Sequence, residues 1–135
     1  MRFLVIDDSP TMRKILIAAL RTVGFTDVVE AGDGEEALTK IHTENIDFVI
    51  TDWNMPKMTG LELAKAVRCD DRIKHLPIIM VTTRDQKQDI MQAFEAQISN
   101  YIIKPFTPEI LKDKIDTVLM VAKELASDVK MSEET

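Results

Sequence analysis

Three aspartates, one lysine and one threonine carry the chemistry of this sequence, and each closes a short apolar run. Asp7 and Asp8 follow Phe3-Leu4-Val5-Ile6, Asp52 follows Phe48-Val49-Ile50-Thr51, Thr82 follows Ile78 to Val81, and Lys104 follows Tyr101-Ile102-Ile103. Carboxylates gathered at one place repel one another until protons, a cationic side chain or a metal offset their charge. Lys104 supplies one positive charge. A hard divalent ion supplies the rest, and one or two carboxylates with water and a phosphate oxygen suit Mg²⁺ better than a Ca²⁺ cage of about six to eight oxygens. Such a set serves phosphoryl transfer. A carboxylate nucleophile needs in-line positioning, and the charge on the equatorial oxygens needs a metal, an ammonium and a hydroxyl. Asp52, Mg²⁺, Lys104 and Thr82 are one of each.

Taken singly, each residue has a plainer reading. An Asp-Asp doublet after a strand is often a solvated turn or helix cap, and Thr82 and Lys104 read as surface residues at strand ends. Asp52 behind its apolar run also fits the Mg²⁺-binding carboxylate of an NTPase or Mg²⁺-dependent phosphohydrolase. The NTPase alternative lacks a phosphate loop: Gly24, Gly32, Gly34 and Gly60 fit neither G-x-x-x-x-G-K-[ST] nor G-x-G-x-x-G. What favours the joint reading is the common placement of these residues at strand ends.

The elements that must position them alternate strictly, strand then helix. Phe3 to Asp7 reads as a strand, and Ser9 caps a helix that has Pro10 in its first turn, runs through Val23 and closes on Gly24. Val28 to Ala31 is the second strand, and Asp33 with Glu36 opens a helix to about His42. Phe48 to Thr51 is the third strand, Thr59 with Glu62 opens a helix ending near Arg68, and Ile78 to Val81 is the fourth strand. Asp85 with Gln88 opens a helix to about Gln97, and Tyr101 to Ile103 is the fifth strand. Thr107 and Pro108 begin the last helix, whose stripe Leu111, Ile115, Val118, Ala122, Leu125 and Val129 steps by four and three. Short right-handed crossovers admit one arrangement of five such units: an α/β fold with a doubly wound, five-stranded parallel sheet and five helices. Ligands in such sheets bind at the carboxyl ends of the strands, where the winding reverses, so the residues named above should meet there.

Length and composition agree. A chain of 135 residues with a net charge of -6, 45% hydrophobic and 30% charged, is a single ordinary domain that buries roughly two-thirds of its extended surface. Residues 1–125 are read as the domain and 126–135 as a polar tail into which the last helix is free to extend. The longest apolar runs, such as Val118 to Ala122, fall far short of a bilayer span of about 20 residues, and Met1-Arg2-Phe3 has no signal-peptide layout. The acidic balance argues against nucleic acid, and nothing argues for a membrane. Cys69 has no disulfide partner, and with His42 and His75 it makes no zinc site. A cytoplasmic location is expected. Cys69 is expected half-buried at a helix end, the histidines solvated, the eight methionines mostly packed, and Trp53 either a partly exposed loop aromatic or a cover over the site.

The strings Val5-Ile6-Asp7-Asp8-Ser9, Thr51-Asp52-Trp53-Asn54-Met55-Pro56 with Gly60, Met80-Val81-Thr82, and Tyr101-Ile102-Ile103-Lys104-Pro105-Phe106 resemble receiver domains of two-component response regulators. The Asp-Trp-Asn-Met-Pro string and the length point within that family to single-domain chemotaxis regulators. The resemblance covers about residues 1–124 and implies the flavodoxin-like strand order 2-1-3-4-5. It further implies that Asp52 is the phosphoacceptor, that Asp7 and Asp8 hold Mg²⁺ with Asp52 and the Asn54 backbone carbonyl, Asp8 directly, and that Lys104 pairs with Asp52 and then with the phosphoryl group. Thr82 would donate to a phosphoryl oxygen and draw its loop inward, Tyr101 would turn from exposed to buried, and Lys104-Pro105 would be cis.

Implied partners are a sensor histidine kinase as phosphodonor, a downstream target that in chemotaxis is the flagellar motor switch, and a phosphatase; the alternative is a stand-alone receiver in a non-chemotaxis phosphorelay. A monomeric switch is expected, one that catalyses its own phosphotransfer and dephosphorylation and turns over no free metabolite.

Three departures from the family bear on that expectation. Gln97 stands where the family usually carries glycine, which sets the left-handed turn expected there against a side chain that disfavours it. Thr83 is bulkier than the residue usual after the switch threonine, and Arg84 replaces an acidic residue. With Asn54 these two are the rate-tuning positions. They predict a long-lived phosphorylated state, either because Thr83 crowds the water in line with Asp52 while Arg84 removes the acidic group that would orient it, or because Arg84 pairs with the phosphoryl group. On the fourth helix, Ile90, Phe94 and Ile98 recur at intervals of four and are expected to form a partner face beside Tyr101, with Met91 and Ala93 packing on the sheet.

Overall fold

The computed structural model describes the backbone of residues 1–134 and the side chains of residues 1–125. In chain order the elements are β1 (Phe3–Ile6), α1 (Pro10–Thr22), β2 (Val28–Ala31), α2 (Gly34–Thr43), β3 (Phe48–Thr51), α3 (Gly60–Arg68), β4 (Ile78–Thr82), α4 (Lys87–Glu95), β5 (Asn100–Ile103) and α5 (Pro108–Glu134). All four strand pairings are parallel, in the order β2-β1-β3-β4-β5. The expected doubly wound fold and strand order are therefore present. Helix α5 continues past residue 125 to Glu134, and Leu125 of its expected apolar stripe is exposed; the Val129 end of that stripe lies outside the described side chains.

The central strands are buried on both faces, so their apolar runs are continuous rather than alternating. Their side chains still divide by period two. Leu4, Ile6, Val49, Ile78 and Met80 enter the core beneath α2, α3 and α4, whereas Phe3, Val5, Phe48, Ile50, Ile79 and Val81 enter the core beneath α1 and α5. In the second core Leu16 and Leu20 of α1 meet Leu111 and Ile115 of α5.

Local signals set most helix starts. Ser9 accepts from the Met12 amide, Asp33 from the Glu36 amide, and Thr59 and Glu62 close a reciprocal capping box. Gly60, the first residue of α3, sits so near β3 that a Cβ would lie 2.1 Å from the Asp52 carbonyl oxygen, while its amide donates to the Trp53 carbonyl at 2.9 Å. Only glycine lets α3 begin directly behind Asp52.

Two expectations need correction around α4. Asp85 does not cap it: the helix begins after Gln86, which makes no side-chain cap bond, and the Asp85 carboxylate instead accepts from the Gln86 side-chain amide at 3.0 Å. At the other end the left-handed turn survives without glycine. Gln97 has φ +64°, and the bonds Gln97 N–H to Phe94 and Ile98 N–H to Ala93 close a Schellman-type ending. Arg68 of α3 donates to the Gln97 carbonyl at 2.8 Å, a tertiary bond that offsets the Cβ penalty of about 1–2 kcal/mol.

Candidate functional site

At the carboxyl edge of the sheet, β1 and β3 end side by side and deliver Asp7, Asp8 and Asp52 to one spot, each offering an oxygen within 4.8 Å of the others. Asp7 is 2% exposed; one oxygen accepts from the Ser9 amide at 2.9 Å and the other lies 3.4 Å from Lys104 Nζ. Asp52 is half-buried, accepts from the Trp53 amide at 2.8 Å and lies 3.7 Å from the same ammonium. Asp8 is exposed. Lys104 comes from the end of β5, anchored by its amide on the Thr82 carbonyl at 2.9 Å, and the Lys104-Pro105 bond is cis.

One ammonium for three carboxylates leaves the cluster under-neutralised. Burial pushes the Asp52 carboxyl above its ordinary range; Lys104 and the Trp53 amide oppose this, and Asp7 and Asp8 reinforce it. The same donor set suits a hard divalent ion: oxygen ligands, net negative charge and an open side at Asp8.

Thr82 is fully buried at the end of β4, and its hydroxyl oxygen accepts from the Arg84 amide at 3.2 Å. Tyr101 is already inward, 7% exposed, with its hydroxyl donating to the Arg84 carbonyl at 2.7 Å. Burial and the neighbouring Asp89 push the phenol up to about 12. Thr83 is exposed and lines a shallow apolar pocket with Met12, Ile15 and Phe106 beside Lys104.

Arg84 is committed away from the acidic cluster. Its guanidinium stacks 4.6 Å above the Trp53 ring, donates to Asn54 Oδ1 at 3.0 Å and pairs with Asp89 at 3.4 Å. Trp53 is buried in the core beneath that cation rather than a partly exposed loop residue.

The expected partner face is only partly assembled. Phe94 is 46% exposed and Ile90 half-buried, and both line a groove of about 340 Å³ with Tyr101, Ile103, Ile110 and Lys114. Ile98 is not part of it. It follows the left-handed Gln97 turn, which breaks the helical interval of four and sends the side chain into the core at 5% exposure. Met91, expected against the sheet, is exposed, and Ala93 alone of that pair is buried. Cys69 is exposed rather than half-buried. Sequence reasoning passed over Ile103 and Ile110, which extend the groove, and Asp89, which holds Arg84. The signal for the first two was an apolar residue at a strand end and another in the first turn of an acidic helix; Asp89 offered none. It also missed Arg13, whose guanidinium donates to the Asp7 carbonyl at 2.6 Å while pairing with Glu30.

Residues 3–116 match the model of the response regulator receiver domain. The chain is 48% identical over 118 residues to the chemotaxis protein CheY of Pseudomonas aeruginosa, covering 87% of this chain and 95% of that protein. It is 49% identical over 120 residues to the chemotaxis protein CheY1 of Helicobacter pylori, covering 88% and 97%. Among solved structures it resembles the chemotaxis response regulator CheY4 of Vibrio cholerae, with TM-score 0.79, 36% identity and coverage of 87% and 97%. A putative response regulator from Chloroflexus aurantiacus gives TM-score 0.83 at 34% identity, covering 88% and 97%.

Proposed function

The chain belongs to the response regulator receiver family, in its CheY-like branch, and on that premise we propose that it is a phosphorylation switch with Asp52 as its acceptor. Receivers are signalling switches and not conventional enzymes. The observation that carries the assignment is the convergence of Asp7, Asp8 and Asp52 within 4.8 Å beside a single ammonium.

In the proposed reaction an Asp52 carboxylate oxygen bonds to phosphorus as the bond from phosphorus to the imidazole nitrogen of a kinase phosphohistidine breaks, and the histidine leaves with the electron pair. Asp7, Asp8, Asp52 and the Asn54 carbonyl would hold Mg²⁺, which when bound supplies positive charge to the carboxylates and phosphoryl oxygens. Lys104, shared between Asp7 and Asp52, is near enough to follow the new charge onto the phosphoryl oxygens. The Thr82 hydroxyl uses its oxygen as an acceptor toward Arg84, so its proton is free to be given to a phosphoryl oxygen. The groove formed by Ile90, Phe94, Tyr101 and Ile110 is the proposed docking face for a target peptide, in chemotaxis a flagellar motor component, with a sensor histidine kinase as donor and a phosphatase as antagonist, all acting on a cytoplasmic switch.

We further propose that the phosphorylated state is long-lived. Because the Arg84 guanidinium is occupied by Asn54 and Asp89, the crowding of in-line water by Thr83 is the favoured cause. Intact mass after acetyl phosphate and Mg²⁺ tests the core assignment. Wild type should gain one phosphoryl group, and Asp52→Asn or excess EDTA should abolish the gain. Multiple turnover of a small phosphorylated substrate would favour the phosphohydrolase reading instead.

A further inference from the structure

Arg84 joins three segments that the sheet alone does not connect. Its guanidinium engages the β3–α3 loop through the Trp53 ring at 4.6 Å and Asn54 Oδ1 at 3.0 Å, and engages α4 through Asp89 at 3.4 Å. Its own backbone faces two of the residues assigned to switching: the amide donates to Thr82 Oγ1 at 3.2 Å, and the carbonyl accepts from Tyr101 Oη at 2.7 Å. Its Nε is the one buried side-chain nitrogen or oxygen among the described residues without a hydrogen-bond partner.

We propose that Arg84 is a positioning residue that bolts the β4–α4 loop to the β3–α3 loop and α4, and so holds Tyr101 in its inward rotamer before any phosphoryl group is bound. The inference rests on the proposed switch role of Tyr101. A buried phenol hydroxyl needs an acceptor. The Arg84 carbonyl supplies it only where the loop now lies, and the side chain of the same residue fixes the loop there through a stacked ring, an amide oxygen and a carboxylate. Removing the guanidinium frees the carbonyl to drift, leaves the hydroxyl unpaired and favours the outward ring. A planar fork makes these contacts together. Lysine, a point charge, keeps the cation near Trp53 but not both polar bonds.

The chain has one tyrosine and one tryptophan, and they flank Arg84, so each side of the bolt has its own reporter. The unphosphorylated, Mg²⁺-free full chain is labelled with 3-fluorotyrosine, and its single ¹⁹F line is followed with a dissolved paramagnetic relaxation agent while Trp53 emission is recorded. Wild type should give a line shielded from the agent. Arg84→Ala should move that line toward free fluorotyrosine and make it several-fold more sensitive to the agent at an unchanged far-ultraviolet dichroism spectrum, with Arg84→Lys intermediate and Asp89→Asn smaller but in the same direction.

A changed Trp53 emission in Arg84→Ala with the ¹⁹F line still shielded at its wild-type position would overturn the coupling. Should Arg84→Ala not fold, unchanged lines in both Arg84→Lys and Asp89→Asn overturn it equally. Failure here leaves Asp52 phosphorylation by acetyl phosphate intact, whereas absence of that phosphorylation in wild type would sink the proposed function with the ¹⁹F result standing.

Discussion

Helices α3 and α4 each have nine residues and cover the same face of the sheet, yet they are held very differently. Helix α3 opens on a closed capping box, buries Leu61, Leu63, Ala64 and Val67, and ends on Arg68, whose guanidinium binds the carbonyls of Gln97, Lys74 and Leu76. Among the described residues α4 buries Ala93 and no other of its own, its cap residue Gln86 makes no side-chain cap bond to the helix, and its last turn carries no base. Met91 and Phe94 stand exposed on it. Opening free energy follows buried apolar contact and satisfied ends. Helix α3 therefore fixes the acceptor side of the molecule behind Asp52, while α4, tied to the preceding loop through Asp89 and Arg84, has far less buried contact to lose beside Tyr101. The two sides of a switch need those opposite properties.

Deleting core contact from the firm helix should give the largest effect. Leu63→Ala should cost about 2–5 kcal/mol in urea unfolding, whereas Phe94→Ala on the loose helix should stay within about 0.5 kcal/mol of wild type and weaken target-peptide binding instead. Similar losses for the two would break the contrast.

The caps sharpen it at the next scale. Thr59→Ala should destabilise the protein by about 1 kcal/mol, and Gln86→Ser, which offers α4 the hydroxyl it lacks, should stabilise by no more than that. Amide exchange localises the gain: slower exchange confined to α4 is expected, and exchange unaltered in α4 would mean that something other than its start keeps the helix loose.

The smallest effect depends on pH and probes the firm side. Behind Gly60 and α3, the Asp52 carboxyl sits half-buried beside Asp7 and Asp8. Its folded-state titration therefore lies above the ordinary 3.8, although Lys104 and the Trp53 amide offset part of the rise. Between the unfolded and folded values the native state binds the extra proton, so stability falls as pH rises through that window. In EDTA, Asp52→Asn should melt above wild type at neutral pH, and the two curves should converge in acid, where Asp52 is protonated. Equal melting temperatures across the range would show that the acidic cluster carries no strain.

The expectations that held are those built from short-range physics. Ser9, Asp33 and Thr59 cap their helices because a side-chain oxygen and an amide three residues on are neighbours in any chain. Asp85 failed by the same logic, since Gln86 offered its carboxylate a nearer donor. Ile98 was misplaced because an interval of four means one face only while the helix lasts, and the Gln97 turn ends it. That turn rests on Arg68, 29 residues away, and no local signal announces such a bond.

By itself the sequence determined the alternation of strands and helices, the parallel doubly wound sheet and the delivery of Asp7, Asp8, Asp52, Thr82 and Lys104 to one edge. Those outcomes follow from periodicity, capping and crossover handedness, which act within a few tens of residues. Only the tertiary structure decided where Arg84 points, that Trp53 lies beneath it, that Tyr101 is inward and that α4 is loosely seated. Those outcomes depend on packing between β3, β4, α4 and β5. The direction of a long loop side chain is set by the sum of distant partners, each worth little alone, and no spacing in the chain encodes that sum.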